Sequence, residues 1–334
     1  MKIGIVYDLK EDYGIDAQDL DFCDFSNLLE IQHIRQVLER CGHYVDLIGS
    51  LRNFALHIKD ISHFRYDIIL NFSEGYKSRN RESIVPALCE AYDIPYTFSD
   101  SHAMDLTLHK HQMFLFAKSL GIDTPRGFVF IPWLHSLDII PKLVKQQSLS
   151  FPMISKPNHE GTSMGLKISY CLDELMHNVE KTVIKYQQEI RCDEYIDGYE
   201  IAVPILGTCE HAHCLGIVEY QQLNTRPIEY FSTTLKSKGM HKTIFQHFSD
   251  DIDKKIIDTA LLIHRSIPCY DLSRIDMRLK NGIPYLLEVT PLPSMNPGST
   301  VEMCASRKGY SPEMLYEEII ESALGRYRKK HGNT

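Results

Sequence analysis

Long hydrophobic runs are missing from this sequence. Nowhere does it approach the roughly 20 consecutive apolar residues that a membrane-spanning helix needs, so no membrane association is expected. It also lacks a basic block. With 36 Lys and Arg against 44 Asp and Glu the net charge is −8, which argues against nucleic acid as a partner. Its nine cysteines are odd in number and scattered, unlike a disulfide framework, and suggest reduced thiols in the cytoplasm. The opening Met1-Lys-Ile-Gly-Ile-Val-Tyr meets a charge at Asp8, too early for the apolar region of a signal peptide. No Gly-x-Gly-x-x-Gly follows this first strand, which disfavours a dehydrogenase. No His-Glu-x-x-His pair occurs, so metalloproteolysis is unsupported. Cys209-Glu-His-Ala-His-Cys214 carries four zinc-type ligands, but it lies between two strands and reads as a hairpin turn.

What is present is the pattern of a globular protein of two or three domains, 334 residues long, 43% hydrophobic and 24% charged. The first hundred residues alternate strand and helix signals. Strands are expected at Ile3–Tyr7, Tyr44–Ile48, Tyr66–Leu70 and Ile94–Thr97, with a helix capped by Ser26 and another over Ser83–Tyr92. Such βα alternation implies a mostly parallel sheet. A helix from about Asp105 to Gly121 follows, then strands near Gly127–Ile131 and Pro152–Lys156 and a helix over Asp173–Gln187. Strands at Ile190–Ile196, Glu200–Leu206 and Cys214–Tyr220 precede a helix at Asp250–Ser266, and Ser311-Pro312 opens a C-terminal helix. Domain boundaries are expected near Ser101 and Cys192, giving units 1–101, 102–192 and 193–334.

Three segments carry chemistry. Ser273–Ser299 reads as two strands joined at Asn281-Gly282, a strong hairpin signal, with Arg274, Asp276 and Glu288 inside otherwise apolar strands. A three-residue loop, Lys280-Asn281-Gly282, would place Glu288 opposite Arg274 and diagonal to Asp276. Two carboxylates on one face suit Mg²⁺; a surface salt-bridge ladder is the other reading. Lys156-Pro-Asn-His-Glu-Gly-Thr-Ser-Met-Gly165 leaves a strand with a positive charge, hydroxyls and bare amides, fit for a polyphosphate or for an ordinary turn. In Asp193-Glu-Tyr-Ile-Asp-Gly-Tyr-Glu200, backbone groups of Glu194, Tyr195 and Ile196 could pair with an adenine edge and Glu200 with a ribose; the alternative is a plain hairpin with an acidic turn.

Together these motifs resemble the D-alanine–D-alanine ligase family of ATP-grasp enzymes over nearly the whole chain. Asn71-Phe-Ser-Glu-Gly75 and Arg81–Thr97, ending Ile-Pro-Tyr-Thr, match the family's first-domain signature. The resemblance implies an α/β (α+β) fold of three domains: an N-terminal parallel α/β domain and two α+β ATP-grasp subdomains clamping ATP. It implies Lys110 and Lys156 at the ATP phosphates and Glu160, Thr162 and Ser163 in a glycine loop over them. Asp193 would lie beside the adenine, Glu200 at the ribose, and Lys236 would reach the γ-phosphate. Asp276, Glu288 and Thr290 fall on the metal positions for one or two Mg²⁺ ions, with Mn²⁺ as a substitute. Arg274 matches the acyl-phosphate arginine, Ser294 the residue whose N–H faces the oxyanion, and Ser299 the serine that binds the second substrate's carboxylate.

Several positions depart from the family pattern. Thr290 stands for asparagine, Ser294 for glycine, and Tyr7–Gly14 replaces the glycine-rich, Glu-containing loop that holds the first substrate's ammonium. The expected activity is ATP-dependent ligation of two amino acids through an acyl phosphate, foremost D-alanine–D-alanine ligation for the cell wall. An amide or dipeptide ligase of other specificity and a non-catalytic ATP-binding regulator are the alternatives, and a homodimer is the assembly considered.

Overall fold

The computed structural model describes residues 1–16, 19, 25–223, 241–330 and 332. In chain order its first elements are β1 (Lys2–Tyr7), α1 (Leu28–Arg40), β2 (Tyr44–Gly49), α2 (Leu51–Ile58), β3 (Ile68–Phe72) and α3 (Ile84–Ala91). The three strands form a parallel sheet in the order β2-β1-β3, as the βα alternation requires. Gly4 lies at its centre, where a Cβ would come within 2.5 Å of Ile48 Cδ1 and 2.9 Å of Ile69 Cδ1. Ile94–Thr97 contributes only a single parallel bridge, Ile69 to Tyr96. The α1 cap is Asn27, whose side chain accepts from the Glu30 N–H, rather than the expected Ser26.

Next come α4 (Ser101–Leu108), α5 (Lys110–Ser119), β4 (Gly127–Phe130), α6 (Ile139–Gln146), β5 (Met153–Pro157), β6 (Lys167–Ser169), α7 (Leu172–Tyr186) and β7 (Ile190–Glu194). Their strands form an antiparallel sheet, β4-β7-β5-β6, packed on α6 and α7 through Phe128, Phe130, Ile140, Leu175 and Val179. The single helix expected from Asp105 to Gly121 is two helices broken at His109. There the Lys110 N–H donates to the Asn158 carbonyl at 3.0 Å and the His111 N–H to Asn158 Oδ1 at 2.9 Å. A tertiary partner thus replaces the i−4 carbonyl and starts a fresh helix at Lys110.

The remainder comprises β8 (Tyr199–Leu206), β9 (His213–Cys214), β10 (Val218–Gln222), β11 (His241–Phe245), α8 (Asp250–Ser266), β12 (Leu272–Lys280), β13 (Ile283–Thr290), α9 (Thr300–Arg307) and α10 (Pro312–Lys330). Its sheet runs β11-β10-β8-β12-β13, with β9 on β8. Cys209–His211 forms the short turn between β8 and β9, as a hairpin reading requires. The C-terminal helix α10 returns to α1, and Tyr316, Ile319 and Ala323 share a core with Ile3, Ile31 and Leu38. No helix among the described residues is long and apolar enough to cross a membrane.

His264 on α8 is fully buried, with Nδ1 2.7 Å from the Ser273 hydroxyl and Nε2 3.1 Å from the Gly207 carbonyl. Burial pushes its pKa down to about 4, only partly opposed by that carbonyl. The fold therefore holds the neutral ring, while the unfolded chain takes a proton near pH 6.5. Stability from this residue is complete above about pH 6.5 and is lost as pH falls toward 4, amounting to about 2 kcal/mol by pH 5. Denaturant unfolding at pH 7 and pH 5 should show this loss in the natural chain and a smaller one in His264→Asn.

Candidate functional site

The hairpin of β12 and β13 builds the centre of the site. Its turn holds two residues, not three: Lys280 pairs with Ile283, and both Asn281 (φ 52°) and Gly282 (φ 73°) are left-handed. Regular pairing from that turn would set Leu287 opposite Asp276. A β-bulge after Met277–Leu286 shifts the register instead, so that Asp276 pairs with Glu288, Ile275 with Val289 and Arg274 with Thr290. The two carboxylates do share a face, as expected, but through a bulge. Glu288 stands opposite Asp276 rather than Arg274. The bulge also lets Leu287 and Glu288, consecutive residues, line one cleft while Leu286 and Val289 stay in the core.

That cleft, about 90 Å³, lies between the two antiparallel sheets. The chain expectations converge on it: Lys110, Lys156, Ser163, the 193–196 segment, Glu200, Arg274, Asp276 and Glu288 all line it. Arg274 donates to both Asp276 oxygens, at 2.8 and 2.7 Å, and more weakly to Thr290 Oγ1 at 3.4 Å. Lys110 Nζ is 2.9 Å from Glu288 and donates to the Glu160 carbonyl, tying the glycine loop to β13. Lys156 Nζ lies 4.0 Å from Asp193; burial lowers its pKa most, Lys110 acts in the same direction, and Asp193 opposes both. Asp193 is also bonded to Arg191 at 2.6 Å, yet its Oδ2 and Arg191 Nη2 are buried without a hydrogen-bond partner among the described residues. Of the two, Asp193 lies on the cleft wall, where an unmet acceptor is a place for a ligand's own donor.

In the glycine loop Thr162 (φ 46°) and Ser163 (φ 61°) adopt left-handed backbone that non-glycine residues rarely take. Such strain persists where the surroundings impose it and gathers at ligand-binding loops. Thr162 faces a second cavity, about 220 Å³, which also touches Thr290, Ser294 and Glu30 and adjoins the first at Arg274 and Glu288. The Ser294 hydroxyl donates to Glu30 at 3.3 Å.

Other expected residues stand apart from the cleft's centre. Glu160 turns its carboxylate to Gln188 Nε2, at 2.7 Å, in a third cavity with Arg81 and His159. The Glu194 carboxylate is held by Arg126 at 2.9 to 3.3 Å. The N–H groups of Glu194 and Tyr195 already donate to the carbonyls of Arg126 and Pro152. Ser299 caps α9 by accepting from the Glu302 N–H at 3.4 Å and lines neither of the first two cavities. Lys236 lies outside the described residues.

Sequence reasoning missed Arg278. It lines the cleft, donates to Glu200 at 2.8 Å, the Tyr195 hydroxyl at 3.0 Å and the Ile196 carbonyl at 3.1 Å, and so positions Glu200. The signal was available: Arg274, Asp276 and Arg278 recur at the strand period of two on one face.

Comparison with known proteins agrees with this geometry. Residues 118–321 match the family model described as D-ala D-ala ligase C-terminus. A D-alanine–D-alanine ligase of Pelagibacter ubique is 31% identical over 274 residues, 79% of this chain and 83% of that protein. One from Fervidobacterium nodosum is 28% identical over 300 residues, 87% of this chain and 92% of that protein. The structure of the Bacillus anthracis D-alanine–D-alanine ligase complexed with ATP superimposes with a TM-score of 0.77 at 22% identity, covering 99% of this chain and all of that one. The fold is thus the three-domain ATP-grasp arrangement, and the chain belongs to the D-alanine–D-alanine ligase family.

Proposed function

We propose that this protein is an ATP-dependent carboxylate–amine ligase that joins two D-alanine molecules through an acyl phosphate. The observation that carries this reading is the meeting of Lys110, Lys156, Glu200, Arg274, Asp276 and Glu288 on one cleft, from elements far apart in the chain. Lys110 and Lys156 would bind the ATP phosphates, Thr162 and Ser163 would cover them, and Glu200, braced by Arg278, would take the ribose. Asp193, with its unmet oxygen, would lie at the base. The units 1–101, 102–192 and 193–334 serve as the three domains of this reading.

The oxygens of Asp276 and Glu288 suit Mg²⁺, which is usually held by one or two carboxylates together with substrate phosphates. No group of three or more acids, histidines or cysteines gathers among the described residues, so the phosphates would complete the coordination. When bound, the ion would offset the charge of the phosphates. Asp276 and Glu288 would be the two carboxylate ligands, with Thr290 Oγ1 beside them as a weaker neutral oxygen.

In the first step the substrate carboxylate attacks the γ-phosphoryl of ATP, giving an acyl phosphate and ADP. In the second the amine of the other amino acid attacks the acyl carbon and phosphate leaves. Arg274 would stabilise the oxyanion charge of that addition, together with the Ser294 N–H. The cytoplasm, where all eight described cysteines would stay unpaired thiols, is the compartment this reading implies.

The test is purified protein with ATP, Mg²⁺ and D-alanine, assayed for phosphate and dipeptide. Both should appear, and chelation with EDTA should abolish both reversibly. Phosphate release with another amino acid but not D-alanine would overturn the D-alanine assignment. No release across a panel of D- and L-amino acids would overturn the ligase reading.

A further inference from the structure

The loop between β3 and α3 leaves the parallel sheet, yet its arginines reach the glycine loop and the start of α5. Its base is pinned to the neighbouring strand. Asp8, which follows β1 and is fully buried, accepts from the Ser73 hydroxyl at 2.6 Å and the Gly75 N–H at 2.9 Å, both just past β3. Gly75 (φ 69°) folds the loop back on itself, and a Cβ there would overlap the Arg81 carbonyl. Arg81, only 8% exposed, donates from Nη1 to the His159 carbonyl at 2.8 Å and holds Nη2 3.5 Å from Glu82 and 3.9 Å from Glu160. Arg79 donates to His109 Nε2 at 3.1 Å, while His109 Nδ1 lies 2.8 Å from the Asp105 carbonyl, a pattern that fits the neutral ring protonated at Nδ1. These contacts flank Lys110, one on the residue before it and the other on the loop whose Glu160 carbonyl it holds. Resting on the ligase reading above, we infer that Arg81 is a positioning residue for ATP, which fixes the stem of the glycine loop so that Thr162 and Ser163 lie over the phosphates.

A loop with two consecutive left-handed residues, neither of them glycine, keeps that shape only while its ends are held. The stem supplies the hold. The His159 N–H donates to Gln188 Oε1 at 2.9 Å, Gln188 Nε2 donates to the Glu160 carboxylate at 2.7 Å, and Arg81 takes the His159 carbonyl. Gln188 lies directly before β7, in the same sheet as the strand that leads into the loop, so it holds the stem from within. Arg81 holds it from the parallel sheet. A guanidinium suits that task, because it stays charged at any working pH and its bond to a carbonyl is stronger than the neutral bonds of an amide. The His159 ring adds no competing charge. Burial first, then the basic neighbours His109, Arg81, Lys110 and Arg79, push its pKa down to about 4, so the ring stays neutral beside Arg81. Asp8 and Gly75 acquire a role from the same geometry, since they set where the arginine stands.

The experiment titrates the natural protein, Arg81→Ala and Arg81→Lys by calorimetry with a non-hydrolysable ATP analogue and with adenosine, each with Mg²⁺, beside steady-state kinetics with ATP and D-alanine. Loss of a charge-assisted hydrogen bond at the stem should weaken the analogue about tenfold or more and raise the KM for ATP alike. Adenosine, which has no phosphates for the loop to cover, should bind as before, and the KM for D-alanine should not change. Arg81→Lys keeps a cation without the fork and should recover part of the loss. Gly75→Ala displaces Arg81 without removing it, so it should weaken the analogue too and add little when combined with Arg81→Ala. Thermal unfolding checks that each variant folds, and where Arg81→Ala does not, the same comparison is read from Arg81→Lys at a smaller loss. Unchanged analogue binding, an equal fall for analogue and adenosine as a merely architectural role would give, or a larger rise in the KM for D-alanine than for ATP would overturn the inference. If the natural protein binds the analogue but releases no phosphate with any amino acid, the ligase reading falls and the binding comparison still decides the role of Arg81. If it binds no analogue, both readings fall.

Discussion

Glu288→Gln should abolish ligation almost entirely, with kcat down by ~10³-fold or more, while the protein stays folded. Glu288 is one of the two carboxylates that meet across the hairpin, and Asp276 is already doubly bonded to Arg274. An amide in its place offers a neutral oxygen to the metal and leaves the charge of the phosphates less offset; losing a single well-aimed charge-stabilising group costs ~10²–10³-fold in kcat, and a metal ligand more. The fold should tolerate the change. Glu288 is partly exposed, with 27% of its side-chain surface open, and Lys110 keeps its bond to the Glu160 carbonyl. Thermal unfolding within a few degrees of the natural protein, alongside lost phosphate release, checks both halves. Activity within tenfold of normal would remove Glu288 from the metal site.

Asp271→Asn should instead strike stability, by about 3 kcal/mol, a typical loss when one partner of a buried ion pair is removed. Asp271 is fully buried, and its two oxygens collect bonds from three parts of the chain. Oδ2 accepts from the Phe98 N–H and from Arg326, both at 2.8 Å, and Oδ1 from Ser322 at 2.8 Å and Thr208 at 3.2 Å. The carboxylate therefore joins the end of the N-terminal unit, the β8–β9 turn and α10. Asparagine tolerates the left-handed backbone at this position, φ 62°, so the variant isolates the lost charge from backbone strain. Arg326 would stay largely buried without its counter-ion. Asp271→Ala should lose more, since it adds the strain and deletes every acceptor. Denaturant midpoints of the two variants check the order; equal stability of Asp271→Asn and the natural chain would show that the charge is immaterial.

Where local pattern and tertiary demand coincide, the sequence was readable. Helix α8 occupies Asp250–Ser266 as expected, with Ser249 as cap, three acids in its first turn and His264 and Arg265 in its last. Helix α10 starts at Pro312 for a similar reason, proline being suited to the first helical position. The short helices α2 and α6 escaped, since eight residues give few turns over which periodicity can accumulate. So did strand β11, which alternates weakly and is only partly buried. The His109 break depends on Asn158, nearly fifty residues on, and no local pattern records such a partner. In the hairpin the turn residues announced themselves, but the bulge did not. The common face of Asp276 and Glu288 was argued correctly from chemistry and attributed to the wrong cause, an odd loop instead of an extra residue in β13. Of the site, the charged residues were legible because charges inside apolar strands demand explanation. Leu287 was not singled out, since an apolar strand residue is ordinary on its own, whereas Arg278 was missed although it repeats the period-two spacing of Arg274 and Asp276.

The contact of Lys110 with Glu288 has a thermodynamic consequence for how the site fills. This lysine neutralises the glutamate and anchors the glycine loop through the Glu160 carbonyl. On the proposed reading, nucleotide draws Lys110 toward phosphate and frees Glu288 for the metal, while the metal in turn frees Lys110 for the nucleotide. Each ligand thereby removes an obstacle to the other, so their affinities are linked, and by equal factors in both directions. Magnesium alone and nucleotide alone should bind weakly, and the two together cooperatively, with the loop released from its clasp only when both arrive.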